Sequence, residues 1–322
     1  MRRPSCRLSS SPTFCAMPTT FSADHLRKLL RVNSYPFAET AHILFGIRGA
    51  SAAGAKCEEF RDAHLIEQTD VNYQAARCLI GIWNPVQNKI ALFPGSTVPH
   101  LKYIKRNVEG KAKSNCMMSG YYSHYEKGFH NPNPGHAHQA LRLATNIMYR
   151  RSFNDFTFTN TDPVEVGNPN DNLHAAYTDT LAGAYSSAGC QVIVGQPKCR
   201  ARGAASNAGY WKKFYDIVYN DTSQHRFAYA LFRFTDAAAA SAGGAGLMEG
   251  RLRFGSQGSA VLALQNALES KDFFFTNKDG AFGKNTLQAV LAYQTKQFGA
   301  KEADGVVGPG TAAALGFALP MI

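Results

Sequence analysis

Apolar residues recur along the chain with two different periods. Between residues 43 and 234 they come in short runs such as Ile43-Leu44-Phe45-Gly46-Ile47 and Leu79-Ile80-Gly81-Ile82-Trp83. The turn residues Asn84-Pro85 and Pro94-Gly95, and the stretches 131–135 and 168–172, separate them. Runs of that length with such punctuation predict strands. Ahead of them, Leu26, Leu29 and Leu30 stand at helical steps and predict a helix over Ala23–Val32. Two further helices are expected, over 134–149 and 208–219. Beyond residue 250 the period changes: Val261, Leu264 and Leu268, then Leu287, Val290 and Leu291, are spaced for helices. Between the two patterns lies 236–250, DAAAASAGGAGLMEG, which offers little to bury and predicts a flexible tether. The expected fold class is α+β. A disordered leader (1–24) precedes a β-rich domain (25–235), the tether (236–250) and a small all-α domain (251–322).

Composition narrows the partners. A chain of 322 residues exceeds one ordinary core, and 45% apolar with 18% charged residues is the balance of a folded protein. The formal charge of +11 favours anionic partners. The lysines and arginines are scattered, however, and no basic run is interleaved with aromatics, so nucleic acid is not expected. No apolar stretch approaches the roughly 18 residues of a membrane span. The N-terminal MRRPSCRLSSSPTFCAMPTTF lacks a continuous apolar core and gives no clear signal peptide. Seven cysteines (Cys6, Cys15, Cys57, Cys78, Cys116, Cys190 and Cys199) form no C-x-x-C pair, so no zinc or iron–sulfur site is read from them and no cofactor is expected. Cys190 and Cys199 are nine apart and close enough in sequence to pair as a disulfide, which would remove either as a nucleophile.

The helical segment contains a repeat. Asp279-Gly280-Ala281-Phe282-Gly283-Lys284-Asn285-Thr286 matches Asp304-Gly305-Val306-Val307-Gly308-Pro309-Gly310-Thr311 at an offset of 25 residues (304 minus 279). The Asp-Gly pairs suit tight turns with positive φ at Gly. Gly283 and Gly308 suit helix starts, with Pro309 at a first helical position. Together with Leu252-Arg253-Phe254-Gly255-Ser256-Gln257-Gly258 and Leu264-Gln265, these units resemble the peptidoglycan-binding domain appended to wall hydrolases and transpeptidases. The resemblance implies a three-helix bundle, peptidoglycan as partner, and a cell-envelope or extracellular location.

One stretch of the larger domain carries candidate chemistry: His174, then Ser186-Ser187-Ala188-Gly189-Cys190-Gln191-Val192-Ile193, with 16 residues from His to Cys (190 minus 174). A thiol attacks when an imidazole can take its proton, and a turn of small residues exposes sulfur and backbone N–H donors. Gly189 and Cys190 would supply those donors. This arrangement resembles the L,D-transpeptidase catalytic domain, in which a strand-borne His is followed some 16 to 20 residues later by Ser-His-Gly-Cys. The resemblance implies Cys190 as nucleophile on a stem-peptide carbonyl and His174 as base, with Ser187 and Gly189 shaping the turn. Ala188 stands where the family has its second His, and Val192 where it has Arg. Cleavage or exchange of a related bond is therefore as open as crosslinking. The plainer alternative makes Cys190 a core thiol and His174 a satisfied strand residue.

Two rivals compete. His124, His130, His136 and His138 cluster in a Tyr-, Pro- and Asn-rich stretch and offer imidazoles for a metal-dependent wall amidase or peptidase, although no H-E-x-x-H helix is present. A non-enzymatic wall binder is the second. Asp155, Glu165, Asp171 and Asp179 could pair for glycan cleavage, but their spacing selects no two of them.

Overall fold

The structure, a computed structural model, describes residues 17–110, 114–152, 155–243, 246–274 and 276–322. Cys6, Cys15 and most of the expected leader lie outside them. The chain opens with β1 (Thr19–Ser22) and α1 (Ala23–Val32), followed by β2 (Ile43–Arg48), β3 (Ala50–Ala52), β4 (Ala63–Gln68), β5 (Cys78–Asn84) and β6 (Lys89–Ser96). Next come α2 (Leu101–Val108), β7 (Cys116–Met117), β8 (Gly120–His130), β9 (His138–Leu143), β10 (Ile147–Arg150), β11 (Val164–Gly167), β12 (Leu173–Ala175) and β13 (Gln191–Ile193). The β-rich region ends with α3 (Gly209–Asn220), β14 (Arg226–Arg233) and α4 (Phe234–Ala242). The last helices are α5 (Ser259–Glu269), α6 (Lys284–Phe298) and α7 (Pro309–Leu315). The molecule is a mixed α/β protein, β-rich first and helical last.

Eight strands close a barrel in the order β12-β13-β6-β5-β2-β14-β8-β9. Most neighbours run antiparallel, while β12 with β13 and β2 with β14 are parallel. Strand alternation divides the apolar side chains between two faces. One face of the strands supplies Leu44, Ile80, Ile82, Phe93, Leu141 and Leu173 to a core that α3 joins through Trp211 and Phe214. The opposite face of β2, β5, β6 and β14, with Phe45, Leu79, Trp83, Leu92 and Phe232, packs beneath Leu26, Leu29 and Leu30 of α1 and Ala237 and Ala240 of α4. Two small sheets flank the barrel, β1-β4-β3 and β11-β10-β7.

Three sequence expectations differ from this architecture. Residues 19–22, assigned to the leader, form β1 against β4 and bury Phe21. The expected helix over 134–149 is instead β9 and β10. Its Ala140, Leu141, Leu143, Ile147 and Met148 suit either period, and pairing along the long strand β8 gives β9 the hydrogen bonds that a lone strand lacks, while a short helix is marginal by itself. The expected tether starts as helix α4, which buries Asp236, Ala237 and Ala240. Alanine is the best helix former, and its small side chain lets α4 approach α1 closely. Further along, Met248 and Gly250 donate their N–H groups to Ile322 and Pro320 carbonyls. The helix expected over 208–219 is α3.

Candidate functional site

Two pairing registers assemble the site. The β8–β9 hairpin sets His130 opposite His138, and the parallel β12–β13 pair sets Leu173 opposite Gln191, bringing His174 beside the turn that ends at Cys190. The Cys190 Sγ and one nitrogen from each of the His130 and His174 rings lie within 4.8 Å of one another. The His130 ring stacks on His174 with centroids 4.0 Å apart and planes 12° from parallel. His138 stands edge-on to both, at 5.5 and 5.4 Å. The sequence thus divided between two candidate sites what the fold joins: His130 and His138 share the neighbourhood of His174 and Cys190. His124 and His136 do not. The His124 ring contacts Ser123, and the His136 ring bonds to Asn133 and meets Tyr177 edge-on, only the His136 carbonyl reaching His138.

The turn that carries the thiol is pinned from several sides. Ser187 Oγ donates to the Cys190 carbonyl (2.7 Å) and accepts from Gly189 N–H (3.2 Å). Backbone N–H groups of His100 and Asn115 donate to the carbonyls of Ser187 and Ala188. Gln191 donates to the Gly189 carbonyl while accepting from the Tyr229 hydroxyl. Position 189 requires glycine because a Cβ there would come within 2.6 Å of both the Asp171 carboxylate and the Asn115 amide. One expectation is corrected by this geometry: the Gly189 N–H is spent on Ser187 Oγ and is not a free oxyanion donor. Val192 lies fully buried with Ala176, Tyr185 and Cys190, which leaves an arginine no room at that position.

Neighbouring groups set the ring tautomers. His174 Nδ1 lies 2.8 Å from the Ala175 carbonyl, so it donates there and Nε2 is left as a bare lone pair. His138 Nδ1 likewise lies 2.8 Å from the His136 carbonyl, and its buried Nε2 has no hydrogen-bond partner. Burial holds the His174 pKa well below the ordinary imidazole value, with His130 and His138 adding to the effect. Burial, then His138, pushes His130 down to about 4. Burial, then the Asp171 carboxylate, pushes the Cys190 thiol up. At neutral pH the resting site is therefore a protonated thiol among uncharged imidazoles. Cys190 keeps 7% exposure, and half-buried His130 is the more open side of the cluster. Cys190 and Cys199 are both free thiols, so the possible disulfide is not formed.

Of the four candidate carboxylates, Asp171 is the one that reaches the site. It lies fully buried beneath the turn, accepts from Asn115 Nδ2 at 2.6 Å, and has its pKa raised to about 7 by burial. Glu165 pairs instead with Arg151. Asp155 caps its own loop at Ser152 and Thr157, and Asp179 accepts from Gln196.

The helical region is built on a buried glutamine in each repeat unit. Gln265 Nε2 donates to Asp279 Oδ1 (2.9 Å), to Thr286 Oγ1 (3.1 Å) and to the Ala281 carbonyl, while its Oε1 accepts from Gly280 N–H. Gln294 does the same for Asp304, Thr311, the Val306 carbonyl and Gly305 N–H. Gly280 and Gly305 take φ of 68° and 75°, as the Asp-Gly turns require. Each Asp-Gly-x-x-Gly-x-x-Thr unit is thus a loop folded around one amide and closed by the helix it starts. Residues 257–315 match the family described as "Putative peptidoglycan binding domain". The chain ends in a peptidoglycan-binding domain. No curated protein and no solved structure matches the chain. The likeness of the larger region to the L,D-transpeptidase catalytic domain draws no support from these comparisons and rests on the residues themselves.

The peptidoglycan-binding domain sits directly on the β-rich region. Its core of Leu252, Val261, Leu264, Phe282, Leu287 and Val307 includes Met118 and Met148 from beside and within the β10 sheet. Arg150 donates to the Ala303 carbonyl and Asn160 to that of Lys301. Arg253 forms a buried bidentate pair with Asp236 at 3.0 and 3.1 Å. Such a domain associates a protein with the cell wall. No described helix is long and apolar enough to cross a membrane. On the barrel, a cavity of about 510 Å³ adjoins His138 and is lined by Phe129, Gln139, Cys199, Arg200 and Tyr215.

Proposed function

We propose that this protein is a peptidoglycan-directed cysteine acyltransferase or hydrolase that works on stem peptides in the manner of L,D-transpeptidases. The observation that carries the reading is one thiol, Cys190, with a His174 ring nitrogen within 4.8 Å, the Nδ1–H of that ring being committed to the Ala175 carbonyl so that its lone pair is on Nε2. Nε2 of His174 takes the thiol proton as Sγ attacks a peptide carbonyl carbon. The S–C bond forms, the C–N bond breaks, and the proton passes to the departing amine. An incoming amine or water then attacks the thioester, returns a proton through His174 to sulfur, and leaves as new amide or free acid. Ser187 and Gly189 hold the turn. The peptidoglycan-binding domain supplies the substrate address.

A metal-dependent wall hydrolase is the second reading, favoured by the type of donors. Two imidazoles and a thiol form an acceptable zinc set, with His130, His174 and Cys190 taking the place of the His124, His130, His136 and His138 cluster. The ring geometry fits poorly. An ion bound to imidazole lies in the ring plane, and two rings stacked 12° from parallel share no such point. Purified sacculi separate the readings. Cys190→Ala should abolish peptide release or crosslinking while leaving sacculus binding intact, and a chelator should change nothing. Loss of turnover with chelator would favour the metal. Binding without turnover in the wild type would leave a non-enzymatic wall binder.

A further inference from the structure

An acyl-transfer site needs a donor for the oxyanion that forms when sulfur attacks a carbonyl. The turn was expected to offer the Gly189 and Cys190 N–H groups, and that of Gly189 is spent on Ser187 Oγ. The family's second His is absent, Ala188 standing in its place. We propose that His130 supplies the donor that Gly189 does not: its Nε2–H binds the developing oxyanion while His174 acts as the base. The inference rests on the thiol reading above.

The tautomer argument carries it. The Leu143 N–H donates to Asn172 Oδ1 at 3.0 Å, which fixes the orientation of that amide. Asn172 Nδ2 therefore points its hydrogen at His130 Nδ1, 3.0 Å away. A nitrogen that accepts carries no proton, so in the neutral ring the proton is on Nε2. His174 is held in the opposite tautomer by the Ala175 carbonyl. Two stacked imidazoles thus lie beside one thiol, His174 with its lone pair on Nε2 and His130 with its N–H on Nε2.

Reach is adequate. An oxyanion on a carbon bonded to sulfur lies roughly 2.7 Å from that sulfur and wants a donor about 2.7–3.1 Å from itself. Those two steps together exceed the 4.8 Å that bounds the separation of Sγ from a His130 ring nitrogen. The low pKa of His130 keeps the ring uncharged at neutral pH, so it donates a hydrogen bond without competing as an imidazolium. Being half-buried where His174 is fully buried, it also stands on the side a substrate must enter.

Two reagents applied to the full-length protein test this. Acetylation of Cys190 by 4-nitrophenyl acetate passes through an oxyanion, whereas alkylation by iodoacetamide does not. His130→Ala should slow acetylation about 10²-fold and leave alkylation at the wild-type rate. His130→Gln, whose amide N–H falls near the former Nε2–H, should recover most of the loss. Equal losses in both reactions, or acetylation unchanged in H130A, would overturn the inference while leaving Cys190 as the nucleophile. A wild-type protein that is alkylated but takes up no acetyl group would overturn the thiol reading itself and this inference with it.

Discussion

Asp171 is the residue whose ionisation works against its surroundings. Its carboxyl is fully buried, and burial lifts its pKa to about 7, whereas in the unfolded chain it ionises near 3.9. Between those values the folded state holds a proton that the unfolded state has lost. Stability from this group is therefore complete below about pH 4 and falls as pH rises through 7. Asp171→Asn keeps the shape and removes the titration, so it should flatten that decline and be the more stable protein at pH 8, by on the order of a few kcal/mol. Urea midpoints of both proteins across pH 4 to 8 measure it, and parallel profiles would refute it. The same charge opposes ionisation of Cys190, so D171N should also be alkylated faster at pH 8. At this scale the sequence was informative about identity and silent about environment. The His174-to-Cys190 spacing and the small-residue turn pointed to the thiol. That Asp171 lies beneath Gly189, or that Asn172 orients His130, depends on register and burial, for which single residues carry no signal.

Among the elements, the Asp-Gly loops of the helical domain were legible because their repeat is local. The amides that fill them were not, since Gln265 and Gln294 sit 14 and 10 residues before the aspartates they hold. Replacing either by Leu strands a glycine N–H, a carboxylate and a threonine hydroxyl without their shared partner. Gln294→Leu should destabilise the domain by about 1–3 kcal/mol and weaken sacculus binding in proportion to the unfolded fraction, read by thermal melts and pelleting with sacculi. An unchanged melting temperature would show that water replaces the amide at no cost. The β8–β9 hairpin illustrates the opposite limit. Its second strand has apolar spacing that a helix could also use, and only the pairing with β8 decides between them. Because that pairing places His130 opposite His138, the misread element was also the one that concealed the unity of the site.

For the whole molecule, the decisive feature is the joint between barrel and peptidoglycan-binding domain. The Ala-rich segment was expected to act as a flexible tether. Its first part is instead a packed helix whose Asp236 is held by Arg253 of the neighbouring domain, both almost inaccessible to water. Burial alone would raise the Asp236 pKa, yet the facing guanidinium keeps it below the ordinary carboxylate range, so the pair is ionised through the neutral range. Removing one partner of such a pair leaves a buried charge uncompensated and costs about 3–5 kcal/mol, whereas an apolar replacement of both is far milder. Arg253→Met should therefore destabilise the protein strongly, and the further change Asp236→Leu should restore much of the loss. Since Met118 and Met148 also belong to the helical core, barrel and binding domain should melt in one calorimetric transition, shifted as a whole by R253M. Two separate transitions in the wild type, or an R253M shift confined to one of them, would mean that the shared core does not couple them. A coupled pair gives the domain a different role from that of a flexible anchor: the wall strand it holds is presented to the barrel at a fixed distance and angle. If the proposed function holds, only stem peptides at one offset along the strand reach the cluster around Cys190.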